Sequence, residues 1–180
     1  IENESKRMGS LVEDLLLLAR LDQSREMKSE PVNLTKLVSD AVESARVAGP
    51  AHTVNYQNSA EEIYALGDND RIHQVVANLL ANARTHTPAG TVIDVLVNQS
   101  EDGVRIRISD NGPGLSEKDQ SRIFERFYRA DSSRVRTDGE GTGLGLSIVD
   151  AVMRAHGGEV SVESKPGEGA TFTLFFPLNP

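Results

Sequence analysis

The 180-residue chain has no cysteine and no tryptophan, and its aromatics are three tyrosines and five phenylalanines. Without cysteine, disulfides, thiolate metal sites and cysteine nucleophiles are excluded. No apolar run approaches the roughly 20 residues of a membrane span; the longest is Leu15 to Ala19. The start, Ile1-Glu2-Asn3, has neither the basic end nor the apolar stretch of a signal peptide and no initiator Met, so a fragment or a processed product is expected. His52, His73, His86 and His156 lack the spacing of a zinc motif, and no Gly-x-Ser-x-Gly elbow occurs. Cations are scarce as well. Nineteen Lys and Arg stand against 27 Asp and Glu, a net charge of −8. Direct nucleic-acid binding is therefore not expected unless the cations cluster.

What is present suits a globular domain, with 38% hydrophobic and 26% charged residues. Met8, Leu11, Leu15 and Leu18, widened by Val12, Leu16 and Leu21, predict an amphipathic helix that needs a partner for its apolar face. The polar stretch from Asp22 to Glu30, ending at Pro31, reads as a linker and puts a boundary near residue 30. Beyond it, helices are expected over Leu34–Val47, Asp70–His86 and Leu144–His156, with a short one over Glu117–Phe127. Strands are expected at Thr53–Tyr56, Ile63–Leu66, Val92–Val97, Val104–Ile108, Glu159–Glu163 and Thr171–Phe176, the last four as two hairpins. Regular βαβ alternation is missing. The pattern predicts an α/β two-layer sandwich on a mostly antiparallel sheet.

Three segments carry chemistry. On the Asp70–His86 helix, Gln74, Asn78, Asn82 and His86 recur every four residues as one polar stripe. Asparagine is a poor helix former, so the stripe is either a solvated face or a set of neutral oxygen ligands for a hard cation such as Mg²⁺, brought by a polyphosphate. Asp110-Asn111-Gly112-Pro113-Gly114, at a strand end, is either ordinary turn chemistry or an acceptor for a ligand amine with bare backbone beside it. Gly139 to Gly145 runs into a helix and reads as a linker or as an anion cradle of backbone N–H groups. Between the last two lie Arg122, Arg126, Arg129, Arg134 and Arg136 against only Glu125 and Asp131. This cationic flap suits phosphates, and Phe124, Phe127 and Tyr128 suggest that part of it docks on the body.

In this order these residues closely resemble the ATP-binding catalytic domain of bacterial sensor histidine kinases, of the superfamily that includes gyrase, Hsp90 and MutL. Asn78-Leu-Leu-Ala-Asn82-Ala resembles the N box, Asp110 to Gly114 the G1 box and Ile123 to Arg129 the F box. Gly141 to Gly145 resembles the G2 box, and Gly167 to Phe172 the last glycine motif. The resemblance implies a Bergerat-type fold, three main helices on a mixed, mostly antiparallel sheet, over residues 30–180. Residues 1–29 resemble the second helix of the dimerisation hairpin and its linker.

It further implies that ATP and Mg²⁺ bind between the N-box helix and a lid. Asp110 would recognise the adenine amino group beside Thr171, Gly112 and Gly114. Asn82 would hold the metal, Asn78 would position the phosphates, and Arg126 and Arg129 would reach them from the lid, Arg129 at the γ-phosphate. Gly141, Thr142, Gly143, Leu144 and Gly145 would cradle them. Thr85-His86 stands where many members have Lys-Tyr, so Arg84 or a lid arginine is expected to replace that lysine. ATP-hydrolysing relatives carry a glutamate where this chain has Asn78, and an amide cannot act as a base. Transfer to a histidine is thus favoured over a hydrolysing clamp or a degenerate regulatory module. The acceptor motif, His-Glu-Leu-Arg-Thr-Pro in many members, is not in these 180 residues. The implied partners are the dimerisation and phosphoacceptor domain, a second copy in the parent dimer and a response-regulator receiver domain. The domain would be cytoplasmic, under a membrane-anchored parent.

Overall fold

The computed structural model describes residues 2–22, 28–130 and 142–178. Five strands form a mixed sheet in the order β2-β4-β5-β7-β6. They are β2 (Thr53–Asn58), β4 (Val92–Gln99), β5 (Gly103–Asp110), β6 (Glu159–Ser164) and β7 (Ala170–Pro177). Only β2 and β4 run parallel; the other pairs are antiparallel. Alternation gives the sheet a buried face, with Val104, Ile106 and Ile108 of β5 and Phe172, Leu174 and Phe176 of β7 in the core. Three helices cover it: α2 (Leu34–Ala48), α3 (Asn69–His86) and α5 (Gly145–Ala155). The expected sandwich is the one observed.

Local signals explain the helices. Asn33 caps α2, its side chain accepting from the Lys36 N–H at 3.0 Å, and the buried row Leu37, Val38, Ala41, Val42 and Ala45 fixes the inward face. Asp68 caps α3 through the N–H groups of Asp70 and Arg71. The Asp68 N–H itself donates to Nε2 of His156, which ties the start of α3 to the end of α5. His156, the C-cap residue of α5, is thus also a half-buried brace.

The elements depart from expectation in three places. Residues Glu30–Asn33 form strand β1, paired antiparallel with β3 (Tyr64–Gly67), although Pro31 reads as the end of a linker. A two-stranded edge tolerates proline because one side of each strand needs no ladder partner. Helix α4 is only Glu117–Gln120, and residues 121–127 form successive turns ending at Phe127, whose φ of 64° is incompatible with a helix. Finally, α1 (Glu2–Asp22) buries only part of its apolar surface. Leu17 and Leu18 are buried and Leu11 and Leu21 partly so, whereas Met8, Val12, Leu15 and Leu16 are exposed. The single stripe expected for this helix is split into a face packed on α5 and a face left open.

Candidate functional site

A cleft of about 580 Å³ opens between α3, the end of β5, residues 123–130 and the start of α5. At one end stands Asp110. It pairs with Ala170 in register and follows the buried row Val104, Ile106 and Ile108, so the inward face of β5 closes on a carboxylate instead of an aliphatic side chain. One oxygen accepts the Gly112 N–H at 2.8 Å. Burial pushes the carboxyl above its ordinary range, while N–H donors from Gly112 and Ala170 pull the other way. Two glycines make this approach possible. At Gly114 (φ +69°) a Cβ would lie 2.1 Å from the Lys165 carbonyl oxygen, and at Gly169 (φ +83°) 1.8 Å from that of Asp110.

Helix α3 forms one wall through Asn78, Asn82, Thr85, His86 and its C-terminal neighbour Thr87. At ~1.5 Å per residue the wall runs about 13 Å. Its far end is tied down, because Nδ2 of Asn78 donates to the Gly145 carbonyl at 3.4 Å and so leaves the amide oxygen for a ligand. The near end is held by Thr87, whose hydroxyl donates to the Ala83 carbonyl at 2.7 Å and accepts from Nε2 of His52 at 3.0 Å. Burial lowers the pKa of His86, and the charge of Arg129 lowers it further. Gln74 leaves the stripe to accept from Arg71. Arg84 lies off the cleft, with its guanidinium against Gly49 and donating to the Ala48 carbonyl at 3.5 Å.

Arg129, Tyr128, Thr142, Gly143 and Gly145 line the cleft from the flap and its return. The two sides meet in a backbone clasp: the Phe127 N–H donates to the Gly143 carbonyl at 2.9 Å. Both residues have positive φ, and a Cβ at Gly143 would stand 2.9 Å from the Phe127 backbone. Leu144 is fully buried and supports the clasp through its N–H to the Thr142 hydroxyl. Arg122 pairs with Glu125 and lies 4.5 Å over the Tyr128 ring, and exposed Arg126 does not line the cleft. Phe124 meets Phe172 edge-on, so the flap does dock on the body. Gly141, Arg134 and Arg136 lie outside the described residues.

Thr171 is next to the cleft without lining it. It pairs with Ser109, one position off the inward row, and its hydroxyl bonds to that of Ser109 at 3.0 Å. Strand alternation alone carries that signal. Conversely, Pro113, Leu115, Ile123, Leu146, Ala170 and Phe172 give the cleft an apolar wall fit for a planar ring. Asp14 of α1 also lines it, which no local pattern announces. Among the described residues no group of three His, Asp or Glu could hold a metal alone. Neutral amides at Asn78 and Asn82 fit a cation that arrives already neutralised by phosphate.

A family model described as histidine kinase-, DNA gyrase B- and HSP90-like ATPase matches residues 67–180. The chain belongs to this ATPase family. As a member, it is an ATP-binding domain, and its curated relatives carry the names of sensor histidine kinases. It is 46% identical over 179 residues to the Mycobacterium tuberculosis protein named "Probable sensor histidine kinase TcrY", covering 99% of this chain and 37% of that one. The full-length histidine kinase ShkA, solved with AMPPNP, superposes with a TM-score of 0.80 at 28% identity, over 97% of this chain and 37% of that one. The ATP-binding domain of PrrB from Mycobacterium tuberculosis superposes with a TM-score of 0.68 at 29% identity, over 85% of this chain and 99% of that domain. The chain spans less than half the length of the first curated relatives. No helix among the described residues is long and apolar enough to cross a membrane.

Proposed function

We propose that this ATPase-family domain binds Mg-ATP and gives the γ-phosphate to a histidine outside residues 1–180, in a dimeric sensor kinase whose phosphohistidine then supplies an aspartate of a response regulator. In this reading residues 1–29 are hairpin helix and linker, residues 30–180 are the catalytic domain, and the domain works in the cytoplasm under a membrane-anchored parent. The observation that carries it is the convergence of Asp110, Asn78, Asn82 and Arg129 on one cleft. Asp110 accepts from the adenine amine, and the apolar wall excludes water from the ring. Asn82 holds Mg²⁺, with Asn78 and Arg129 orienting the phosphate chain. Bound Mg²⁺ supplies charge neutralisation at the phosphates. Asn78 offers no base for activating water, which favours transfer over hydrolysis.

Titration of the chain with a fluorescent ATP analogue, with and without Mg²⁺, tests the reading. Saturable, Mg²⁺-strengthened binding is expected, and Asp110→Asn should weaken it roughly 10- to 100-fold, as for loss of a hydrogen bond to a charged group. No binding at millimolar nucleotide would overturn it in favour of a degenerate regulatory module, and steady phosphate release would favour the hydrolysing clamp.

A further inference from the structure

Asp14 belongs to the cleft although it comes from α1, which lies outside the matched family region. It sits in the seam Leu11, Asp14, Leu18, Leu21, and Leu18 and its neighbour Leu17 are buried where α1 packs on α5. That helix begins at Gly145, whose carbonyl holds Asn78. The seam therefore seats a carboxylate on the wall of the cleft that Asn78, Asn82 and Arg129 also line. This carboxylate has no hydrogen bond or ion pair among the described residues, and burial and neighbouring Glu13 both raise its pKa. A partly buried carboxylate with no partner, in a row otherwise made of leucines, weakens docking. Packing alone does not explain it.

We propose that Asp14 makes docking of α1 and binding of a nucleoside triphosphate mutually unfavourable, so that the docked helix lowers triphosphate affinity and the bound triphosphate loosens the helix. The inference rests on the nucleotide reading of the cleft. The like charges of carboxylate and phosphate chain would share one cleft, and coupling between helix docking and nucleotide binding is reciprocal. Discrimination follows phosphate count: adenosine scarcely feels Asp14, and the triphosphate feels it most.

The test uses residues 1–180 as wild type, Asp14→Asn, Leu18→Asp and the double variant, each checked for folding by circular dichroism. Affinities for adenosine and ATP are measured by calorimetry. Asp14→Asn should strengthen ATP binding about five- to tenfold and leave adenosine unchanged. Leu18→Asp, which undocks α1, should strengthen it as much, and the double variant should gain nothing further. Because the chain has no native cysteine, spin labels at Met8→Cys and Lys118→Cys can report the distance between α1 and the domain. ATP should broaden that distance in wild type and not in Asp14→Asn. Equal ATP affinity in all four chains, or a helix unmoved by ATP, would overturn the inference. Failure of every chain to bind any adenine compound would instead overturn the nucleotide reading beneath it.

Discussion

The two ends of the cleft are built in different ways. At the Asp110 end the carboxylate is held by a strand, two backbone N–H donors and two glycines whose missing Cβ atoms let three backbone segments touch. The rest of the cleft is assembled from side chains on α3 and at Arg129, from backbone at Gly143 and Gly145 and, from outside the matched family region, from Asp14. Close backbone contacts around one carboxylate fix its position to a fraction of an ångström, whereas a wall drawn from four elements holds its shape only while all four are in place. In the proposed reading the base meets the rigid end, and the phosphates, whose transfer needs access for an acceptor, meet the composite one.

Substitutions can sharpen or break that contrast. The largest expected effect is Gly169→Ala, which sets a Cβ on the Asp110 carbonyl at positive φ and should cost about 3 kcal/mol or more of stability in urea unfolding, with loss of adenine binding. If stability is unchanged, the Asp110 end is not rigid. Gly143→Ala is milder, because its Cβ would stand 2.9 Å from the Phe127 backbone against 1.8 Å for the Gly169 clash; about 1–2 kcal/mol and a selective loss of ATP over adenosine affinity are expected.

The Asp110 carboxyl gives a pH test. Its folded pKa lies above the ordinary 3.8, so between those values the folded chain holds more protons than the unfolded one. Stability from this group therefore falls as pH rises through that window. Ligand-free Asp110→Asn should lose this pH dependence and be no less stable than wild type at pH 7, although it binds nucleotide poorly. Wild-type adenosine affinity should fall as the carboxyl protonates. The smallest effect belongs to Phe127 of the flap. Phe124→Ala should cost about 2 kcal/mol for its contact with Phe172, while exposed Phe127→Gly, at a φ that glycine adopts freely, should stay within about 1 kcal/mol.

Much of the fold was legible because periodicity and breakers agree: Gly49-Pro50, Gly67-Asp68 and Gly157-Gly158 lie at or beside element ends. Strand β1 was not, because a four-residue edge strand with a proline carries no alternation to read. Helix α4 was overrun because the chain from Ser121 to Phe127 keeps helical composition while its backbone turns away. In the site, Asn78, Asn82, His86, Asp110 and Arg129 were expected together and line one cleft. Arg84 and Thr171 were expected with them and lie off it. One residue along α3 turns Arg84 toward α2, and one along β7 turns Thr171 to the other face, distinctions set by packing. Asp14 was illegible in principle, since its place depends on how a separate helix seats itself.

The clasp between Phe127 and Gly143 also bears on how such a domain can diversify. Two backbone groups sixteen positions apart in the chain are hydrogen-bonded, so whatever joins them has its ends already held together by the domain. The entropy of closing a loop grows only logarithmically with its length, about 0.6 kcal/mol for each doubling. Insertions and deletions there are nearly neutral for folding. Length and composition between these two residues can therefore vary, while the sheet, the helices and the Asp110 end stay as they are.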